Sequence, residues 1–372
     1  MYKKRTSKIQ YAENAEPLTG DRYFVSRLME WHKNGNNRQM PWKGVKDPYK
    51  IWLSEIILQQ TRVAQGTEYY LRILKAYPTI QQLAAAPDQD VFKLWEGLGY
   101  YSRCRNLLAT ARLITKNYKG VFPASYEQLL QLPGIGPYTA AAIASFAFEL
   151  PYAVVDGNVF RVLARFWGDD TPTDSANGKK HFSSIANQLI NKKLPGAYNQ
   201  AIMDFGATVC KPQQPLCGQC CMQKKCLARL QGNMHHLPVK EKTIQKSVRY
   251  FTYWVFEYRG KLAIRERAKG DIWQQLSEYY LAETDYPVEW NAEKVSEWLS
   301  ELGINRFVIQ SISSGFKQQL THQTIHGVFI SIRLQHIPSF LHSYEWVTPK
   351  QLNNRAFPQI INQWMCRKES VK

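Results

Sequence analysis

Leu132-Pro-Gly-Ile-Gly-Pro-Tyr-Thr139, followed without a break by the alanine-rich run from Ala140 to Ala147, is the stretch that decides the fold. Just upstream, Ser125 with Gln128 makes a capping-box start for a helix that should end at Leu132, before Pro133 and Gly134. Downstream, Pro137 suits the first turn of a second helix. The spacing therefore predicts two helices joined by a tight glycine turn. Gly134 and Gly136 let another molecule's backbone come close, and the N–H groups opening the second helix form an anion site. Such a site would hold a phosphate and read no sequence. A helical hairpin with no ligand is the alternative that the turn alone leaves open.

Outward from the hairpin, residues 20 to 230 read as a succession of helices with short Gly/Pro punctuation. Asp47 caps one of them with Pro48 at its first position, and its apolar pattern runs to about Val63. Around Gly232 to Lys246 the pattern lapses into a polar, basic linker, and the texture then changes. Val248 to Tyr258 is rich in β-branched and aromatic residues, and Arg259-Gly260 leads into Lys261 to Arg265 as a hairpin. Asn291 to Leu302 reads as an amphipathic helix and Thr324 to Leu334 as a further strand. The expected organisation is multidomain: an all-α region over 1–230, a linker over 231–246 and an α+β domain over 247–366.

With 372 residues the chain is long enough for two to three domains. Apolar residues at 44% and charged residues at 21% exclude wholesale disorder. No apolar run approaches a membrane span, and the basic start Met1 to Arg5 has no apolar segment behind it. The expectation is a soluble, cytoplasmic or nucleoid-associated protein with no signal peptide and no membrane partner. Forty-eight basic residues against 30 acidic ones give +18, of which +14 falls in residues 1–240. An excess of this size attracts polyanions, nucleic acid first among them, with a solubility charge as the bland alternative.

Glu55 lies among large apolar side chains on the helix opened by Asp47, with Ile51, Trp52, Leu58 and Gln59 three and four positions away. Desolvation there raises a carboxyl pKa and keeps the proton that a general acid needs. A surface glutamate at the edge of the apolar stripe fits the same pattern. Asp156, in Val154-Val-Asp-Gly-Asn-Val159, could equally be the N-cap of a helix from Val159 to Phe166. Cys210, Cys217, Cys220 and Cys226 are spaced C-x6-C-x2-C-x5-C, which in an intracellular chain reads as a metal site. Zinc usually takes paired C-x2-C knuckles and only one short pair exists here, so an iron–sulfur cluster is at least as good a reading. Cys104, Cys221 and Cys366 match no ligand position.

Leu132 to Ile143 resembles the helix-hairpin-helix motif of the base-excision DNA glycosylases, and Val154 to Val159 resembles the segment that carries their catalytic aspartate. The cysteine spacing looks like the [4Fe-4S] loop of the same superfamily. Within it, the resemblance is closest to the adenine DNA glycosylases, the MutY family, and covers almost the whole chain. Leu53-Ser-Glu-Ile-Ile-Leu-Gln-Gln-Thr61 looks like the family's helix with the catalytic glutamate, and Gly97-Leu-Gly-Tyr-Tyr101 like its DNA-probing turn. The C-terminal part looks like its Nudix-like lesion-recognition domain. Endonuclease III relatives carry a lysine nucleophile just after the hairpin glycines. Tyr138 stands there in this chain, and a phenol cannot form a Schiff base.

The resemblance implies a monofunctional enzyme, acting as a monomer on double-stranded DNA, that hydrolyses the N-glycosidic bond of adenine opposite 8-oxoguanine or guanine in base excision repair. It implies Glu55 as proton donor to adenine N7 and Asp156 as stabiliser or nucleophile at the sugar, with Tyr138 near the reacting carbon. It implies a [4Fe-4S] cluster on Cys210, Cys217, Cys220 and Cys226, phosphate contacts at Gly134 and Gly136, and Lys43 and Gln200 lining the adenine pocket. Because the reacting bond is shielded in the stack, the target base must flip out, with Tyr100 and Gln60 in the positions of the family's wedging residues. The family reads the lesion with a Phe-Ser-His loop, and the corresponding residues here are Leu320, Thr321 and His322, so Thr321 and His322 are the expected lesion contacts. Nothing after Arg249 matches the Glu-rich magnesium helix of a working Nudix hydrolase. The rival readings are a glycosylase for thymine or an oxidised pyrimidine, and a non-catalytic mismatch binder.

Overall fold

The computed structural model describes residues 21–242 and 245–369. The basic start Met1 to Arg5, and positions 243 and 244 of the expected linker, lie outside them. The chain falls into two compact units. One joins the described residues through Tyr70 to Ala109–Lys242, and the other joins Leu71–Leu108 to the described residues beyond 244. The sequence reading places residues 71–108 in the helical region, whereas here they group with the C-terminal part. The ties are specific: Lys93 Nζ donates to the Arg355 carbonyl at 3.0 Å, Arg105 to the Gln274 carbonyl at 3.0 Å, and the Phe357 N–H to Glu96 at 2.8 Å. No local pattern announces such a docking partner.

In the first unit the helix Pro48–Leu58 packs on Pro137–Phe148, while Pro195–Thr208 packs on Asp21–Asn34, on Pro137–Phe148 and on Gly157–Trp167. Their shared core includes Phe24, Leu28, Ala141, Val159, Phe182 and Phe205. Local chemistry accounts for the starts. Asp47 accepts from the Tyr49 N–H with Pro48 following, Gly136 precedes Pro137, and Asp156 caps Gly157–Trp167. Two ends differ from expectation. The first helix stops at Leu58 rather than near Val63, because Gln60 takes a left-handed backbone with φ 58° and Val63–Ala76 is a separate helix. The helix capped by Ser125 spans only Tyr126–Leu129. Gly134 has φ 73°, a conformation that favours glycine, so the turn requires it.

The second unit carries a mixed eight-stranded sheet. Ser247–Tyr258 runs parallel to Gln323–Leu334 along its whole length. Its other edge is shared by Tyr280–Thr284 and Lys261–Glu266, both antiparallel. Gln323–Leu334 is flanked on its far side by Phe307–Ile312 and Phe316–Gln319. With both edges filled, the two long strands are central, which explains their β-branched and aromatic composition. Trp254, Phe256, Ile330 and Ile332 pack with Val295 and Leu299 of the helix Ala292–Glu301, where Trp254 stacks on Trp298 at 3.7 Å. The connection from Phe316–Gln319 back into Gln323–Leu334 is tight, with the Leu320 N–H bonded to the Gln323 carbonyl at 2.8 Å. Thr321 and His322 form its tip. Among the described residues, no helix is long and apolar enough to cross a membrane.

Gly206 is where Pro195–Thr208 comes closest to Gly157–Trp167. A Cβ there would meet the Asn158 Cβ at 2.7 Å and its carbonyl oxygen at 2.9 Å. We expect Gly206→Ala to lower the free energy of unfolding by about 1–3 kcal/mol in urea denaturation, the usual cost of overpacking. Gly218→Ala, where a Cβ meets nothing within 4 Å, should leave it unchanged.

Candidate active site

The helix contacts of the first unit enclose a cavity of about 730 Å³, and Glu55, Tyr138, Asp156, Lys43, Gln200 and Gln60 all line it. Six residues from five stretches of sequence, Glu55 and Gln60 sharing one, are thereby brought to one place. Glu55 comes from the middle of Pro48–Leu58 and is only 6% exposed. Burial pushes its carboxyl from 4.5 up to about 7; a hydrogen bond from the Tyr138 hydroxyl works against that rise, and the Asp156 charge adds to it. Burial also holds the half-buried Tyr138 phenol well above its ordinary value, with the charges of Glu55 and Asp156 adding to the effect. It is therefore a neutral hydrogen-bond donor throughout the physiological range.

Asp156 is an N-cap, one of the two readings its sequence allows, and it also lines the cavity. Its Oδ1 accepts from the Asn158 and Val159 N–H groups at 2.9 and 2.8 Å, and its Oδ2 from the Asn158 side-chain amide at 2.7 Å. Asn158 also lines the cavity, and the Arg161 guanidinium donates to its Oδ1 at 2.8 Å. Arg161 further donates to the carbonyls of Cys210 and Gly206, both at 2.6 Å. Neither residue was singled out from sequence. A readable signal existed, since Arg161 and Arg165 stand four apart within the apolar run Val159 to Phe166.

On the opposite wall, Lys43 and Arg38 both contact Asp204, at 3.0 and 2.8 Å. Asp204 and the cavity-lining His32 are further residues that the sequence did not disclose. Burial holds the His32 imidazole below its ordinary value, and the Lys43 charge lowers it further.

The remaining expected contacts sit elsewhere. Gly134 and Gly136 lie in the hairpin turn, both exposed, and a Cβ at Gly136 would meet nothing within 4 Å. Tyr100 and Thr321 belong to the second unit, where their hydroxyls are hydrogen-bonded to each other, and His322 is exposed beside them in sequence. Gln60 and Tyr100 share one feature. Both are exposed non-glycine residues with positive φ, 58° and 49°, a strained backbone of the kind that clusters at functional sites.

Cys210, Cys217, Cys220 and Cys226 are free thiols lying near enough to influence one another electrostatically. Burial pushes the Cys210, Cys220 and Cys226 thiols up. The Arg165 guanidinium lies 3.5 Å from Cys210 Sγ, and the Met222 N–H donates to Cys220 Sγ at 3.4 Å. Among the described residues, no group of three or more His, Cys, Asp or Glu side chains is arranged to hold a metal ion.

Residues 53–188 match the family model described as HhH-GPD superfamily base excision DNA repair protein. The adenine DNA glycosylase of Buchnera aphidicola subsp. Acyrthosiphon pisum is 32% identical over 349 residues, covering 92% of this chain and 97% of that protein. The adenine DNA glycosylase of Rattus norvegicus is 44% identical over 227 residues, 58% of this chain and 44% of that one. Among solved structures, a thermostable thymine-DNA glycosylase superposes with a TM-score of 0.53 at 28% identity, covering 57% of this chain and 97% of its own.

The position of Glu55 makes a measurable prediction about stability. A rise from 4.5 to about 7 means that the folded state holds a proton the unfolded state releases, so stability is lost as pH rises from 4.5 and levels off above 7. The full effect is about 3 kcal/mol. Glu55→Gln carries no such penalty. Its unfolding free energy should gain on that of the natural protein between pH 5 and pH 8, and urea titrations at both pH values would show a constant difference if Glu55 were not desolvated.

Proposed function

Because the chain belongs to the adenine DNA glycosylase family, whose members are DNA N-glycosylases of base excision repair, we propose that it excises adenine mispaired with 8-oxoguanine or guanine, acting as a monomer at the Glu55 cavity. The observation that carries this reading is one carboxyl, buried and pushed up to about 7, sharing a cavity with a second carboxylate held by N–H donors. Adenine leaves poorly as an anion. Glu55, protonated near neutrality, supplies the proton to N7 of the departing base, and Tyr138 orients its carboxyl. Asp156 faces the positive charge that develops on the sugar and stabilises it electrostatically or by bonding to it before water completes the hydrolysis. Two carboxyl groups with different environments and different tasks are the pattern of glycoside hydrolysis. Tyr138 in place of a lysine keeps the reaction hydrolytic.

Lys43 and Gln200 on the cavity wall suit recognition of the flipped adenine, one as a donor and the other as both donor and acceptor. Gly134 and Gly136, exposed ahead of the helix Pro137–Phe148, suit a phosphate. Tyr100 and Gln60, on strained and exposed backbone, are assigned to wedging the duplex. The sheet unit is assigned to reading the lesion through the hairpin tip of Thr321 and His322. Leu320 stands where the family has an aromatic, so contact with the lesion rests on the Thr321 hydroxyl and the His322 ring.

The donor chemistry at the cysteine loop fits a [4Fe-4S] cluster. Cys210, Cys217, Cys220 and Cys226 would each supply one thiolate, with Arg165 and the Met222 N–H compensating sulfur charge. When bound, such a cluster ties the loop into one rigid piece and makes electron transfer available.

Three duplexes test the reading: adenine opposite 8-oxoguanine, thymine opposite guanine, and an oxidised pyrimidine opposite guanine, each treated with hot alkali after incubation. Strand cleavage should occur at the adenine alone, with the rate falling as pH rises above about 7, where Glu55 loses its proton. Glu55→Gln should bind the duplex and release no adenine; undiminished release by that variant rejects Glu55 as the acid. Thr321→Ala with His322→Ala should lose the preference for 8-oxoguanine over guanine while still excising adenine opposite guanine. Retention of the preference removes the hairpin tip from lesion reading.

A further inference from the structure

The cavity wall between Gly35 and Lys46 has no regular secondary structure; Glu149 pairs with Lys46 at its far end, and one buried carboxylate, Asp204, holds three side chains of its 36–43 part. Asp204, on the helix Pro195–Thr208, is 0% exposed. Its Oδ1 accepts from Arg38 at 2.8 Å, and its Oδ2 accepts from the Asn36 amide at 2.8 Å and is ion-paired with Lys43 Nζ at 3.0 Å. The three donors lie within a short stretch of chain that has no helix or strand to fix it. The Asn36 amide nitrogen also lies 3.0 Å from His32 Nδ1, which extends the network to a fourth side chain. His32, Arg38 and Lys43 line the cavity, whereas Asn36 and Asp204 do not.

Donor accounting shows what this arrangement leaves for a ligand. A lysine ammonium has three N–H donors. Lys43 gives one to the Arg38 carbonyl at 2.7 Å and is ion-paired with Asp204 at 3.0 Å, so the ammonium is held from two sides and keeps donor capacity for the cavity. Without Asp204 the ammonium keeps only the Arg38 carbonyl, which belongs to the same irregular segment, and two cations lose the buried charge that offsets them.

We propose that Asp204 is a positioning residue for base excision, anchoring the 36–43 segment so that Lys43 and Arg38 meet the flipped base in a fixed geometry. This rests on the reading of the cavity as the adenine site. Asp204 acts through its partners, and its effect therefore falls on the excision step rather than on capture of the duplex. An asparagine of the same shape cannot replace it, since an amide offers one acceptor oxygen and turns N–H donors toward at least one of the three groups that need an acceptor.

The test uses the full-length protein and a duplex with adenine opposite 8-oxoguanine, measuring single-turnover release and duplex affinity side by side. Asp204→Asn should keep the circular dichroism and duplex affinity of the natural protein while losing release on the order of 10²-fold, the scale expected for a displaced positioning group. Lys43→Met should lose most of the same rate, and adding Asp204→Asn to it should cost little more. A rate for Asp204→Asn within about twofold of the natural protein overturns the proposal, as does full multiplication of the two losses. A parallel fall in duplex affinity and rate also overturns it, in favour of a purely structural role. If Asp204→Asn does not fold, Asn36→Ala decides, because it removes one bond to Asp204 from outside the cavity. Slower release with unchanged duplex affinity supports anchoring, and an unchanged rate rejects it. Failure of the natural protein to release adenine would instead reject the reading of the cavity.

Discussion

Two arginines buried in one helix constrain the whole helical unit. Arg161 and Arg165 are 7% and 2% exposed, and a guanidinium in that position must have its donors met. Arg161 takes the carbonyls of Cys210, Gly157 and Gly206, and Arg165 those of Lys211, Pro212 and Leu237. Apart from Gly157, in the same helix, these acceptors come from the cysteine loop, from the helix Pro195–Thr208 and from the segment after the loop. The arginines therefore fix where three separate segments lie, and Arg161 continues the network through Asn158 to Asp156. The placement of a candidate catalytic carboxylate is thus tied to the backbone of the cysteine loop by an unbroken path of hydrogen bonds.

The two carboxyl groups of the cavity are treated in opposite ways by this framework. Asp156 sits at a helix N-terminus with three N–H donors on its oxygens, an arrangement that complements negative charge. Glu55 sits in mid-helix, where every backbone N–H is already committed, among Ile51, Trp52 and Leu58. Its one polar partner is a phenol that itself stays neutral. Helix position alone therefore separates the two environments, with no need for a metal or a cationic partner beside either group. The helix Pro48–Leu58 packs on the alanine-rich Pro137–Phe148, whose Ala140 to Ala144 are buried.

What the sequence disclosed follows the range of the forces involved. Helix starts at Pro48, Pro137, Gly157 and Ala292 were legible because Asp47, Gly136, Asp156 and Asn291 act within three residues of themselves. The two long strands were legible from composition. Strands such as Ser277–Glu278 and Glu345–Val347 were not, since they are too short for a pattern and exist through pairing with Lys261–Glu266. The break after Leu58 was hidden because Gln60 has no local reason to adopt a positive φ; the tertiary fold imposes it. Asp204 was hidden for a related reason, being the one charged residue of the helix Pro195–Thr208, with partners some 160 residues earlier. The cavity residues that could be named in advance were those carried by a recognisable motif.

The charge of the chain divides in the same way, and the division bears on how it meets DNA. Arg103, Arg161, Arg165 and Arg267 are buried, so their charges serve internal acceptors and cannot be lent to a phosphate. Arg267 and Arg249 are consumed by Asp271, Glu278 and Glu283 within the sheet unit. By contrast, Lys211 in the cysteine loop gives its carbonyl to Arg165, Lys224 is exposed, and Lys225 is exposed with its ammonium 4.8 Å from the centre of the Tyr23 ring. Lysine is the residue suited to that place, because a flexible, hydrated point charge follows a phosphate backbone without demanding one geometry. Arginine's planar fork is the better choice where several carbonyls must be met at once, as Arg161 and Arg165 do in the interior. The formal excess of +18 therefore overstates the rigid positive field and understates its mobile part, the part that lets an enzyme move along a duplex while a fixed cavity waits for one base.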